Sequence, residues 1–219
     1  MKRQFFALVC SLLAVSCGSS SSTPTAPAQT TPPPPANSAP SIVSMSVTPQ
    51  FGIQSLTLFT FSANATDANS DPLTYTWDIA GASRTGSSTT GTFTSGGTGT
   101  ATVTVTDGKG GSATDSRTFI VGTASGNWTG SGQGLGNFSM NLTQTAGFVT
   151  GTYQDPFGTG QIDPAQPGTI NNAGQIEMRV KQGRFTDWTL RGTLSQTGRE
   201  INGQMFGSGF TGQAFQLRK

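Results

Sequence analysis

Ten carboxylates, two cysteines and no histidine make up the reactive inventory of this 219-residue chain. Without an imidazole there is no Ser-His-Asp or Cys-His pair to activate a nucleophile, and no histidine ligand for a metal. Cys10 lies inside an apolar run over residues 5–15, and Cys17 follows it directly after Ala14-Val15-Ser16. If the run is cleaved off, Cys17 is the sole thiol, which leaves no disulfide and no thiolate metal site. The remaining chemistry rests on oxygen ligands and on carboxylates.

Asp67-Ala68-Asn69-Ser70-Asp71 has the alternating oxygen spacing of a calcium loop, and a hard cation wants several such oxygens. The sixth position, where a helix–loop–helix calcium site needs glycine, is Pro72, and residues 73–79 read as a strand. An Asx-rich turn is the plainer reading, with calcium held by Asp67, Asn69 and Asp71 as the alternative. No other cofactor is expected. Asp155, Asp163, Glu177, Asp187 and Glu200 are the acids of the second half. A paired-carboxylate hydrolase needs two of them across a cleft. They fall near turns or at the polar positions of strands, where solvation is the ordinary reading.

The ends fix location. Lys2 and Arg3 precede the apolar run, which is too short for a bilayer span of about 20 residues. A cleaved secretory signal over residues 1–16 follows. Its end, Ala14-Val15-Ser16-Cys17, resembles that of bacterial lipoproteins. The resemblance implies acylation of Cys17, a membrane anchor, and an outer-membrane destination, because no acidic residue follows at Gly18. Two or more acyl chains make such attachment stable. Residues 18–40 are Ser, Thr, Pro, Ala and Gln without charge, including Pro32-Pro33-Pro34-Pro35. Residues 17–40 are therefore expected to be the cysteine that the resemblance implies is acylated, followed by a disordered linker. At about 3.1 Å per residue it reaches tens of Å from the lipid. Net charge is +2, supplied by Lys2 and Arg3, so the processed chain is near neutral and no nucleic-acid partner is expected.

The rest reads as all-β, with no apolar stripe at helical spacing. A composition shift over residues 122–126 separates two domains, 41–121 and 126–219. Strands are expected over 41–47, 56–63, 73–79 and 100–106, which suits a two-sheet sandwich. Val43, Met45 and Val47 share one parity, and Leu73, Tyr75, Trp77 and Ile79 another. Asp71-Pro72-Leu73-Thr74-Tyr75-Thr76-Trp77-Asp78 and the run from Ala101 through Asp107-Gly108-Lys109-Gly110-Gly111 resemble PKD-type, Ig-like bacterial surface domains. The resemblance implies an Ig-like sandwich with Trp77 in its core, and a spacer or contact module. The chain departs after Trp77-Asp78, where Ile79-Ala80-Gly81 replaces the usual Phe-Gly-Asp.

The second domain repeats an apolar–x–Gly–x pattern at Val149–Tyr153, Leu190–Leu194, Ile201–Met205 and Phe210–Ala214. Glycine on the apolar parity of neighbouring strands suits a tightly curved sheet. Seven or eight up-and-down strands closing into a small antiparallel barrel are expected. Gly126-Asn127-Trp128 and the strand ending at Tyr153 resemble small lipocalin-like or avidin-like barrels. The sparse tryptophans give no ground for biotin binding. Hairpin arithmetic pairs Val180 with Trp188, Met178 with Leu190, Glu177 with Arg191, Lys181 with Asp187, Leu194 with Ile201, Gly192 with Gly203, and Gly203 with Ala214. Trp128, Tyr153 and Trp188 are core residues or the wall of a ligand site. The stripe through Gly192 and Gly203 is filled by Trp128 or Phe148, or else floors that site.

These readings point to a non-catalytic, lipid-anchored envelope protein. An Ig-like spacer would present a barrel to an envelope polysaccharide, a surface protein or a small ligand. A carboxylate-dependent polysaccharide hydrolase and a purely structural envelope component are the alternatives.

Overall fold

The computed structural model describes residues 34–183 and 186–219. The signal, Cys17, most of the linker, and Arg184-Phe185 lie outside the described residues. Residues Asn37–Lys219 form one compact unit.

Strands β1 (Ser41–Thr48), β3 (Phe59–Thr66) and β6 (Ser88–Gly91) make one sheet, in the order β1-β3-β6. β2 (Phe51–Ile53), β4 (Thr74–Ile79), β5 (Ala82–Thr85), β7 (Gly97–Thr106) and β8 (Ser112–Gly122) make the other, ordered β2-β8-β7-β4-β5. β2 runs parallel to β8 and the other pairings are antiparallel. This is the expected Ig-like sandwich of two sheets. Period-two alternation turns Val47, Phe59, Phe61, Trp77, Ile79, Val103, Val105 and Phe119 into the gap between the sheets. Trp77 is buried, and its indole N–H donates to the Gly86 carbonyl at 2.8 Å. Leu73 and Tyr75 pack partly buried against the same core.

Two local expectations fail here. The strand read as 56–63 begins only at Phe59; Leu56 sits in a turn whose amide donates to Ile53 O, and Leu58 points outward. Val43 does not join Met45 and Val47, because the β1–β3 register shifts between Ile42 and Ser44 and leaves it 62% exposed.

The second half is β9 (Gly126–Gly132), β10 (Gly136–Thr145), β11 (Phe148–Asp155), β12 (Gly158–Ile162), β13 (Gly168–Ile170), β14 (Gln175–Lys181), β15 (Trp188–Leu194), β16 (Glu200–Gly207) and β17 (Phe210–Arg218). Each pairs antiparallel with its neighbour in sequence, β12 and β13 sharing one position between β11 and β14, and β17 returns to β9. The result is a closed eight-strand antiparallel barrel.

The register holds where turns are tight. Val180 faces Trp188, Met178 faces Leu190 and Glu177 faces Arg191. Leu194 faces Ile201 and Gly192 faces Gly203. Two expected pairs change. Lys181 reaches Asp163 at 3.1 Å while Asp187 takes Arg179 at 2.8 Å, because the β14–β15 ladder ends at Val180–Trp188. Gly203 faces Phe215, not Ala214, because β16–β17 carries a bulge. Phe206 pairs with Thr211 and Met205 with Gln213, which leaves Gly212 as the extra residue, at φ 113°. One extra residue inverts parity, so Phe215 turns inward and Ala214 outward.

That inversion decides the interior. A Cβ at Gly192 would lie 3.1 Å from Phe215 Cζ, so Phe215 fills the glycine stripe. Trp128 packs elsewhere in the core, and Phe148 is exposed. Glycine is obligatory at Gly203 for a different reason: its Cβ would collide with the Arg191 carbonyl across the ladder.

The two halves meet in shared core. Ile53, from the sandwich, is buried in the barrel's apolar cluster, with Phe51 and Leu56 packed against it. Gln144, buried on β10, accepts from Ala124 N and donates to the carbonyls of Gln54 and Ala146. The connecting residue Ala124 is fully buried.

Candidate functional site

The strongest concentration of unsatisfied chemistry lies at one end of the sandwich. β4 pairs with β7 so that Thr74 faces Thr106. The loop before β4 and the turn after β7 therefore emerge side by side. The first carries Asp67 and Asp71, the second Asp107 and Lys109. One oxygen from each of Asp67, Asp71 and Asp107 lies within 4.8 Å of the others.

Two of the three acids, Asp67 and Asp107, are held by backbone amides. Asp67 Oδ1 accepts from Asn69 N at 2.8 Å and Asp71 N at 3.1 Å, which is the Asx turn expected. Asp107 Oδ1 accepts from Lys109 N at 2.7 Å and Gly111 N at 2.9 Å, and its Oδ2 accepts from Asn37 Nδ2 at 2.8 Å. The Asn37 amide and the Lys109 backbone hold the Asp107 carboxyl below its ordinary range, against burial. Lys109 Nζ sits 2.6 Å from Asp71 Oδ1, and that hydrogen bond and charge push the lysine up.

Asp67 Oδ2 and Asp71 Oδ2 are buried without a hydrogen-bond partner. The Asp71 side chain is only 7% exposed, whereas Lys109 is 60% exposed. Bare buried carboxylate oxygens beside a third carboxylate suit a hard divalent cation with oxygen ligands. Of the three expected calcium ligands, Asp67 and Asp71 come together. Asn69 does not join them; its Oδ1 accepts from Ser38 N at 2.7 Å. Asp107 stands in its place. Sequence spacing could not supply Asp107, which lies beyond the loop and is brought in by the β4–β7 register. Pairing the two flanking strands by their shared apolar parity was the signal available.

The barrel residues assigned to a ligand wall are placed differently. Trp128, Tyr153 and Trp188 are buried in the packed interior. Trp128 donates to Ala124 O at 2.7 Å, and Lys219 Nζ lies 4.6 Å over its ring. Burial there pushes the Lys219 ammonium down. Tyr153 donates to Asp155 Oδ2 at 2.6 Å and stands edge-on to Trp188 at 5.2 Å. Burial, then the neighbouring carboxylate, pushes the Tyr153 hydroxyl far up. Gly192 and Gly203 are backed by Phe215 and by neighbouring backbone.

The five barrel acids are all engaged. Asp155 takes Tyr153 and two backbone amides. Asp163 pairs with Lys181, Glu177 with Arg191, Asp187 with Arg179, and Glu200 with Arg218. Burial raises Asp163, but the Ala165 amide and the Lys181 ammonium outweigh it and hold the carboxyl low.

Comparison with known proteins adds one firm result. Residues 37–121 match the PKD domain family. A solved chain from work on the promiscuous specificity of β-sandwich carbohydrate-binding modules is 15% identical, with a TM-score of 0.38, over 84% of this chain and 93% of that one. A likeness at that level carries no inference. Comparison with curated proteins gives no match.

Proposed function

We propose that the chain is a non-catalytic, lipid-anchored protein of the cell envelope. Cys17 carries the acyl chains, residues 18–40 reach away from the membrane, the PKD-type sandwich acts as spacer, and the barrel presents its outer surface to a glycan or a protein. The outer membrane is the expected site, from Gly18 after the cysteine. The observation that carries this reading is the junction. Ile53 lies in the barrel core and Gln144 bonds Gln54, so the spacer holds the head in a fixed orientation. A filled interior and acids engaged by cations or amides favour a binding surface over hydrolysis. The anchoring is tested by fractionation of Cys17→Ala. The expected outcome is release into the soluble fraction; a variant that stays with membranes through a carbonate wash would overturn the proposal.

A second reading has its own observation. The bare oxygens of Asp67 and Asp71 beside Asp107 favour calcium bound at the base of the spacer.

A further inference from the structure

Two cross-strand rows mark the outer face of the barrel over β13–β17. In one, Gln175 faces Thr193, Thr193 faces Asn202 and Asn202 faces Gln216. In the next, Thr169 faces Glu177, Glu177 faces Arg191 and Arg191 faces Gln204. These residues from β13 to β16 line a depression of about 610 Å³. A second, of about 430 Å³, shares Thr169 and Glu177 and continues to Phe206. The two form one groove running across the strands.

The chemistry of the groove is narrow. Its two acid–base pairs neutralise themselves, Arg191 Nε lying 3.2 Å from Glu177 Oε2 and Arg179 pairing with Asp187 at 2.8 Å. A polyanion therefore meets no net charge there. Its walls combine amides and hydroxyls with the carbon of their own stems and of Ile170 and Ile176, a mixed lining that suits the hydroxyls and C–H faces of a sugar. A primary amide both donates and accepts, which matches the paired hydroxyls of a sugar. The amides already bond in this manner to one another, Gln216 Nε2 to Asn202 Oδ1 at 2.9 Å and Asn171 Nδ2 to Gln175 Oε1 at 2.8 Å. Strands lie about 4.8 Å apart, so each rung of the rows is comparable with the advance of one sugar in an extended polymer. Phe206 supplies an apolar ring at the far end, with the Arg191 guanidinium 5.4 Å above it.

We infer that this amide-lined groove binds an extended neutral polysaccharide laid across β14–β16. The inference rests on the reading of the barrel as the presenting head, and it names the ligand class and the face. The test is native affinity electrophoresis of the whole chain, solubilised in mild detergent. Gels contain a soluble β-glucan, a xylan or a galactomannan, with alginate as the acidic control. At least one neutral polymer should retard the protein. Asn202→Ala/Gln204→Ala should weaken that retardation at least tenfold, while Asn137→Ala/Gln154→Ala, away from the groove, should leave it unchanged. These side chains are exposed, so thermal midpoints should stay at the parent value; Gln175→Ala/Thr193→Ala serves if the first pair does not fold. No retardation by any neutral polymer, retardation by alginate alone, or an undiminished effect in the groove variant would overturn the inference. Such a failure leaves the anchored-spacer reading standing, because membrane fractionation of Cys17→Ala decides that separately.

Discussion

Asp71 is a side chain whose two oxygens have unequal fates. Oδ1 meets Lys109 at 2.6 Å and Oδ2 is buried without a partner, as is Oδ2 of Asp67. A buried acceptor left unsatisfied typically costs about 1–3 kcal/mol, more if charged. The arrangement persists because Asp67 and Asp107 fold their own loops through backbone amides, and Lys109 offsets part of the charge. A divalent cation would satisfy both bare oxygens, and Lys109, largely exposed, can swing away. We predict that 10 mM calcium raises the thermal midpoint by about 3–6 °C if the dissociation constant is near 1 mM. Asp71→Asn should abolish the rise, and Lys109→Ala should enlarge it. The pH dependence has a definite sign. Asp107 is held below the ordinary carboxylate range, so its stabilising contacts are complete above about pH 4 and fade as pH falls through its lowered value. The calcium effect should fade in the same direction. A midpoint indifferent to calcium at pH 7 would leave the cluster as a pair of Asx turns closed by a lysine.

At the scale of elements, legibility followed side-chain contrast. β14 and β15 alternate apolar and polar without interruption, so their register could be counted from the sequence. β5 is exposed throughout and β6 is a half-buried run of Ser, Thr and Gly, and neither offers an apolar pattern to read. β17 misled for a more interesting reason. Phe210-Thr211-Gly212-Gln213-Ala214 has the same apolar–x–Gly–x form as β15 and β16, but its glycine is the bulged residue and not a packing position. The sequence does not distinguish a glycine that lets strands approach from one that takes a positive φ. The consequence is testable. Phe215 fills the space above Gly192, so Phe215→Ala should cost about 3–5 kcal/mol through the cavity it leaves. Chemical denaturation measures this directly, and a cost below about 1 kcal/mol would show that the bulge does not place Phe215 as described. The candidate cation site was half legible for a related reason. Asp67 and Asp71 belong to one loop, while Asp107 arrives through strand pairing that spacing alone does not encode.

For the whole unit, the boundary that composition suggested is not a hinge. Residues 122–126 do divide the sandwich strands from the barrel strands, but Ala124 is buried and Gly122 packs against Leu194, a Cβ on it lying 3.0 Å from Leu194 Cδ2. Ile53 spends its side chain on the neighbouring core, and Gln144 satisfies three backbone groups drawn from both sides and the connection. Halves tied this way should lose structure together. Calorimetry of the chain should show one cooperative transition. Ile53→Ala should lower it by about 2–5 kcal/mol, since it empties barrel core from the sandwich side. Gln144→Leu acts on the coupling itself. It strands the Ala124 amide and the Gln54 and Ala146 carbonyls, each at about 1–3 kcal/mol where water cannot reach them. The single transition should then split in two, the barrel and the sandwich melting at separate temperatures. Two transitions in the unaltered chain would mean the junction transmits too little to hold the head, and the spacer would then be a tether with no fixed orientation to offer.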